Sequence, residues 1–127
     1  MNGLPDDVRQ FIAENISSVA KLEVLLLLRS HPAQEWSASA VAKELATSAE
    51  VMATHLDEWL SRGLLDVNES TERSYRYSAK TPELDRVVRD LADLYQARRV
   101  TVITQIYSEP VDKVRTFADA FRLRKEN

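Results

Sequence analysis

The sequence predicts a mainly α-helical domain that carries one small β-hairpin. Apolar residues recur at helical spacing through most of the 127-residue chain, and the period falls to two only at Leu65 and Val67 and at Tyr75 and Tyr77. Glycine, frequent in turn-rich all-β chains, occurs only at Gly3 and Gly63. A length below the usual allowance of about 150 residues per domain points to one compact domain, at most with an extended appendage.

Pro5, Asp6 and Asp7 open a first helix, because proline suits the first turn and carboxylates suit the positive end of the helix dipole; Val8, Phe11, Ile12 and Ile16 give it one apolar face. Ser17 or Ser18 caps a second helix whose Val19, Leu22, Leu25, Leu26 and Leu28 leave little polar face before Arg29, which predicts a central, buried position. His31 before Pro32 ends it, since that position is pushed out of the helical region. Trp36 leads into Ser37, the cap of a short helix with Val41 and Leu45 inward. Thr47 and Ser48 interrupt and recap. Val51, Met52, Leu56, Trp59 and Leu60 then mark a helix from Ala49 to Arg62, with Gly63 where a left-handed residue is wanted.

The hairpin follows, with Glu69 to Glu72 as its polar tip. Thr81, Pro82 and Glu83 supply a cap, a first-turn proline and a first-turn acid, and no Gly or Pro follows before Pro110. A single helix from Pro82 to about Tyr107 is therefore expected, and Ser108 to Pro110 start a last helix with Val111, Val114, Phe117, Ala118 and Phe121 inward.

Composition removes several functions. No cysteine means no disulfide, thiolate nucleophile or thiolate metal site, and only His31 and His55 supply imidazole. His31 reads as a helix-end cation and His55 as packing; H-E-x-x-H is absent. The two glycines cannot form a dinucleotide fingerprint, and neither precedes a Lys-Ser or Lys-Thr pair. Asp6-Asp7 and Asp57-Glu58 are neighbours in sequence, about 100° apart on a helix, and do not converge on one proton. No catalytic residues, cofactor or metal are expected. Mean hydropathy of -0.34, the short aliphatic run from Val24 to Leu28, and no basic start before an apolar run predict a soluble cytoplasmic protein with no membrane partner.

The order helix, helix, short helix, tight turn, amphipathic helix, hairpin, long helix resembles the winged helix-turn-helix of bacterial transcriptional regulators, such as the MarR-like and ArsR-like families. The residues carrying the resemblance are Ser37 to Ser48, then Val51, His55, Leu56 and Leu60, and Gly63, Leu64 and Leu65. It covers Val19 to Ser78 and extends more loosely over the C-terminal helices. The resemblance implies a winged helix-turn-helix domain at 1–80 and a C-terminal helical dimerisation region at 81–127. Ser48 would cap the recognition helix, Val51 and Leu56 would anchor it, and Gly63 to Leu65 would lead into the wing.

A scaffold helix and a rigid turn of this kind hold the next helix proud of the domain, where it can enter a major groove about 12 Å wide. The residues placed to meet double-stranded DNA are Ser37, Ser39, Ser48, Ala49, Glu50, Ala53, Thr54 and His55, with Arg73, Arg76 and Lys80 from the wing. Charge opposes this: from Glu35 to Arg62 five acids face two bases, and from Gly63 to Lys80 three acids cancel three bases. The alternative is a winged-helix module that has lost DNA binding and docks another protein through an acidic third helix. For homodimerisation the apolar excess of the C-terminal helices offers Val88, Leu91, Tyr95, Val102 and Ile106, with Val114, Phe117 and Phe121 closing over them. Trp36, Trp59, Tyr95 and Tyr107 are candidates to line an effector pocket, although aromatics at helical spacing are mostly core.

Overall fold

A computed structural model describes residues 4–108. Helix α1 (Asp6–Asn15) begins after extended Pro5, keeps Asp6 and Asp7 in its first turn, and buries Val8, Phe11 and Ile12. Helix α2 (Val19–Ser30) is capped by Ser18, whose Oγ accepts from the Lys21 amide at 3.2 Å. Leu22, Val24, Leu25 and Leu28 are fully buried, so α2 is the central helix; non-helical His31 ends it ahead of Pro32.

Strand β1 (Trp36–Ser37) leads directly into α3 (Ala38–Leu45), because Ser37 is both the last strand residue and the helix cap, its Oγ accepting from the Ala40 amide at 3.0 Å. Ala46 closes α3 in the left-handed region (φ 56°), and the Thr47 amide donates back to the Ala42 carbonyl at 2.9 Å. Helix α4 (Ala49–Ser61) follows, capped by Ser48 and ended by Gly63 at φ +84°. Strands β2 (Leu65–Asn68) and β3 (Ser74–Tyr77) pair antiparallel, and β1 adds to the far side of β3, giving the order β1-β3-β2 with Trp36 opposite Tyr75 and Ser37 opposite Ser74. The hairpin is thus the larger part of a three-stranded sheet. Helix α5 (Pro82–Ala97) is capped by Thr81, whose Oγ1 accepts from the Leu84 amide at 3.1 Å, and packs on α1.

The core centres on Trp59. Fully buried, it stacks on Phe11 with centroids 6.0 Å apart, and its Nε1 donates to the Lys21 carbonyl at 2.9 Å, joining α1, α2 and α4. This arrangement is a winged helix-turn-helix with α3 as scaffold, α4 as the projecting helix and β2-β3 as the wing.

Four expectations need correction. The helix expected from Pro82 to Tyr107 breaks at Arg98 (φ −139°, ψ 57°) and resumes over 99–108. Val51 does not anchor α4: it is 45% exposed, and Met52, one residue or about 100° around the helix, takes the inward place. The proposed seam residues Val88, Leu91, Tyr95, Val102 and Ile106 are all buried within their own chain, 0 to 7% exposed, because the apolar face of α5 covers the domain and, past the break, Val102 and Ile106 join the same core. As interior side chains they present no surface to a second copy; Val114, Phe117 and Phe121 lie outside the described residues. Trp36 and Trp59 are core residues, and of the four aromatics named for a pocket only Tyr95 borders the open groove of about 520 Å³ between α2 and α5. Among the described residues no helix is long and apolar enough to cross a membrane.

Candidate nucleic-acid interface

Position and charge decide what α4 can do. Its inner face is Met52, Leu56 and Trp59, all buried, and its open face carries Ala49, Glu50, Thr54 and Asp57, exposed, with Ala53 half-buried. The Ser48 Oγ accepts from the amides of Glu50 (3.2 Å) and Val51 (3.4 Å), so the helix starts at a fixed point. Thr54 Oγ1 donates to the Glu50 carbonyl at 3.2 Å and keeps its lone pairs free. Ser39 is exposed on α3, and Ser37 is half-buried at the cap below it.

His55 sits differently. It is half-buried on the flank of α4, its Nδ1 buried without a hydrogen-bond partner, and burial lowers its pKa against the opposing pull of Glu58. A neutral ring turned toward the body is packing rather than part of the open face.

Two of the three acids of α4 are paired. Glu58 Oε1 lies 2.8 Å from Nζ of Lys21, a lysine buried in α2 with its ammonium 5.3 Å from the centroid of the Trp59 ring. That ammonium, donating to the carboxylate, is the main cause holding the Glu58 pKa below its ordinary value. Asp57 Oδ1 accepts from Tyr75 Oη at 2.5 Å and from an Arg73 terminal nitrogen at 3.4 Å. Of the carboxylates on α4, only Glu50 lacks a cationic partner among the described residues.

The wing cations are similarly engaged. Arg73 donates through Nε to Tyr75 Oη at 2.8 Å and pairs with Glu69 at 2.6 Å, at the wing tip. Arg76 pairs across the hairpin with its register partner Asp66 at 3.8 Å. Lys43, Arg62 and Lys80 are exposed and make no ion pair among the described residues. No group of three or more His, Asp or Glu side chains among the described residues is arranged to hold a metal ion.

The structure therefore brings Ser48, Ala49, Glu50, Ala53 and Thr54 together on one open face with Arg73 at its edge, and leaves His55 aside. Sequence reasoning missed Lys21 and the link from Asp57 to Tyr75. The available signal was a lysine beside Leu22 in a helix rich in leucine, because a lysine drawn into a core requires a carboxylate partner somewhere in the fold.

No family model matches the chain, and no curated protein matches it. Among solved structures it is similar to the homodimeric winged helix-turn-helix DNA-binding domain of a possible ArsR-family transcriptional regulator from Mycobacterium bovis, with 22% identity over 75% of this chain and 93% of that one and a TM-score of 0.51. It is also similar to an ArsR-like transcriptional regulator from Rhodococcus sp. RHA1, with 26% identity, 79% and 92% coverage and a TM-score of 0.48. The names these neighbours carry are ArsR rather than MarR. The likeness to the first shows the fold.

Proposed function

We propose that this winged helix-turn-helix chain is a cytoplasmic, non-enzymatic transcriptional regulator that binds double-stranded DNA as a homodimer. One observation carries the reading: α4 stands with an open face beside the wing while Lys21 and Arg73 neutralise two of its three acids from within the domain. The formal charge of the helix overstates the repulsion a phosphate would meet, and Lys43, Arg62 and Lys80 remain available to the backbone. The M. bovis domain of the same fold is described as homodimeric and DNA-binding, which supports the same reading here.

In this reading residues 1–80 meet the duplex and residues 81–127 join the copies. The surface for the second copy is the outer side of segment 99–108, where Val100 is 77% and Tyr107 61% exposed, seven residues apart and so on one helical face. A titration of labelled duplex at low ionic strength tests the DNA contact. Binding that weakens linearly in log[salt] is expected; no binding at tens of micromolar refutes it.

A second reading keeps the fold and replaces DNA by a protein partner. It is favoured by unpaired Glu50 next to exposed Val51, and by the ion pairs that already occupy Arg73 and Arg76. Arg73→Glu with Arg76→Glu separates the two: the double change abolishes duplex binding and spares docking of a polypeptide.

A further inference from the structure

The contact between wing and projecting helix is built from four side chains in series. Glu69 at the wing tip holds one terminal nitrogen of Arg73; Arg73 Nε donates to Tyr75 Oη; Tyr75 Oη donates to Asp57 Oδ1; and Asp57 Oδ1 also meets the other Arg73 terminal nitrogen. The Arg73 guanidinium is also 5.4 Å from the centroid of the Tyr75 ring. Tyr75 is 3% exposed and firmly placed, whereas Arg73, Asp57 and Glu69 are each about half exposed and open to solvent. Burial and the Asp57 carboxylate both raise the Tyr75 pKa, so its phenol remains a neutral donor across the working range.

The wing's leading cation is thus held from two sides, by Glu69 of the wing itself at 2.6 Å and at 3.4 Å by a carboxylate of the very helix that would enter the groove. An arginine fork suits a phosphate as well as a carboxylate, and a phosphate placed at this edge would compete for the same donors. Resting on the DNA-binding reading, we propose that Asp57 is a positioning residue that, together with Glu69, keeps Arg73 engaged and away from the backbone phosphates. Free Arg73 adds one phosphate contact; held Arg73 adds none. Tyr75 keeps its bond to residue 57 in either case, so release moves one guanidinium and leaves the fold unchanged.

The test compares, in a full-length Glu69→Gln background that removes the closer partner of Arg73, the parent protein with Asp57→Asn, Glu50→Gln, Arg73→Gln and Asp57→Asn/Arg73→Gln in duplex titrations over a range of salt. Asparagine retains an acceptor for Tyr75, and the site is exposed, so the fold is kept. Asp57→Asn and Glu50→Gln each remove one carboxylate from the open face, but only the first releases Arg73.

Asp57→Asn is expected to tighten binding about tenfold and to steepen the slope of log K against log[salt] by about 0.9, the value of one added phosphate contact. Glu50→Gln tightens binding less and leaves the slope unchanged. With Arg73→Gln present, the excess effect of Asp57→Asn vanishes. Equal effects of Asp57→Asn and Glu50→Gln, or an excess that survives Arg73→Gln, overturn the proposal while the DNA reading stands. Binding by no variant overturns both.

Discussion

Breaking the Lys21–Glu58 pair from its two sides should give unequal results. Lys21 is 7% exposed and its ammonium lies 2.8 Å from Glu58, whose side chain is 49% exposed. Glu58→Gln leaves the ammonium in place without its anion. Losing a partner of a fully buried charge costs about 3–5 kcal/mol, and a hydrogen bond to a charged group about 1.5–3 kcal/mol; water on the Glu58 side lowers the figure to about 2 kcal/mol. With about 2.1 cal/mol/K of unfolding entropy per residue over the roughly 105 described residues, that is a fall in Tm of about 9 °C. Lys21→Met removes the buried charge itself, keeps an unbranched chain against Trp59, and leaves Glu58 in water, so the change stays within about 1 kcal/mol.

Thermal melts by circular dichroism of both variants and the double variant supply the measurement. The pH dependence checks the sign. Glu58 has a lowered pKa in the folded protein, so its contribution is present above the ordinary carboxylate value and is lost as pH falls through the folded value. The gap between wild type and Glu58→Gln should therefore close in acid, and Lys21→Met should show no such loss. Equal destabilisation by the two single changes at neutral pH would refute the argument that desolvation of Lys21 sets the asymmetry.

Ser48→Ala should cost about 1 kcal/mol, or a Tm lower by about 4–5 °C, through loss of the acceptor at the start of α4; Ser48→Asp should keep the melt while weakening duplex binding through added negative charge. The two left-handed residues predict opposite signs in the same melts: Ala46→Gly should raise stability by up to about 1 kcal/mol, and Gly63→Ala should lower it by about 1 kcal/mol, since its φ is +84° and the new Cβ would meet Lys80 Cγ at 3.4 Å. Val100→Lys with Tyr107→Lys should halve the mass seen by light scattering and leave the melt of the dilute protein unchanged; an unaltered mass of two copies would move the seam elsewhere.

The helices and their starts were legible because capping is a local rule. Ser18, Ser37, Ser48 and Thr81 each accept the amide that their position in the sequence implies. What escaped was set by the tertiary structure. Strand β1 is two residues long and has no period to detect. The break at Arg98 has neither Gly nor Pro to announce it, and without it the apolar residues of 82–107 read as two faces of one rod. Val51 and Met52 compete for one inward place, and only the packing of α4 on the rest of the domain decides between them. Counting charge along the chain also misled, because the partners of Asp57 and Glu58 lie in the wing and in α2, far away in sequence. The candidate face of α4 was readable as a set of positions; its effective charge was not.

Ser37 belongs at once to a strand and to a helix cap, which leaves no hinge between the sheet and the scaffold helix. Tyr75 closes the circuit from the sheet to α4. A reading surface assembled this way behaves as a fixed template in which only side-chain tips adjust. Whatever duplex or protein meets it has to do the bending, so shape and stiffness of the partner become part of what is recognised, at positions that no residue touches.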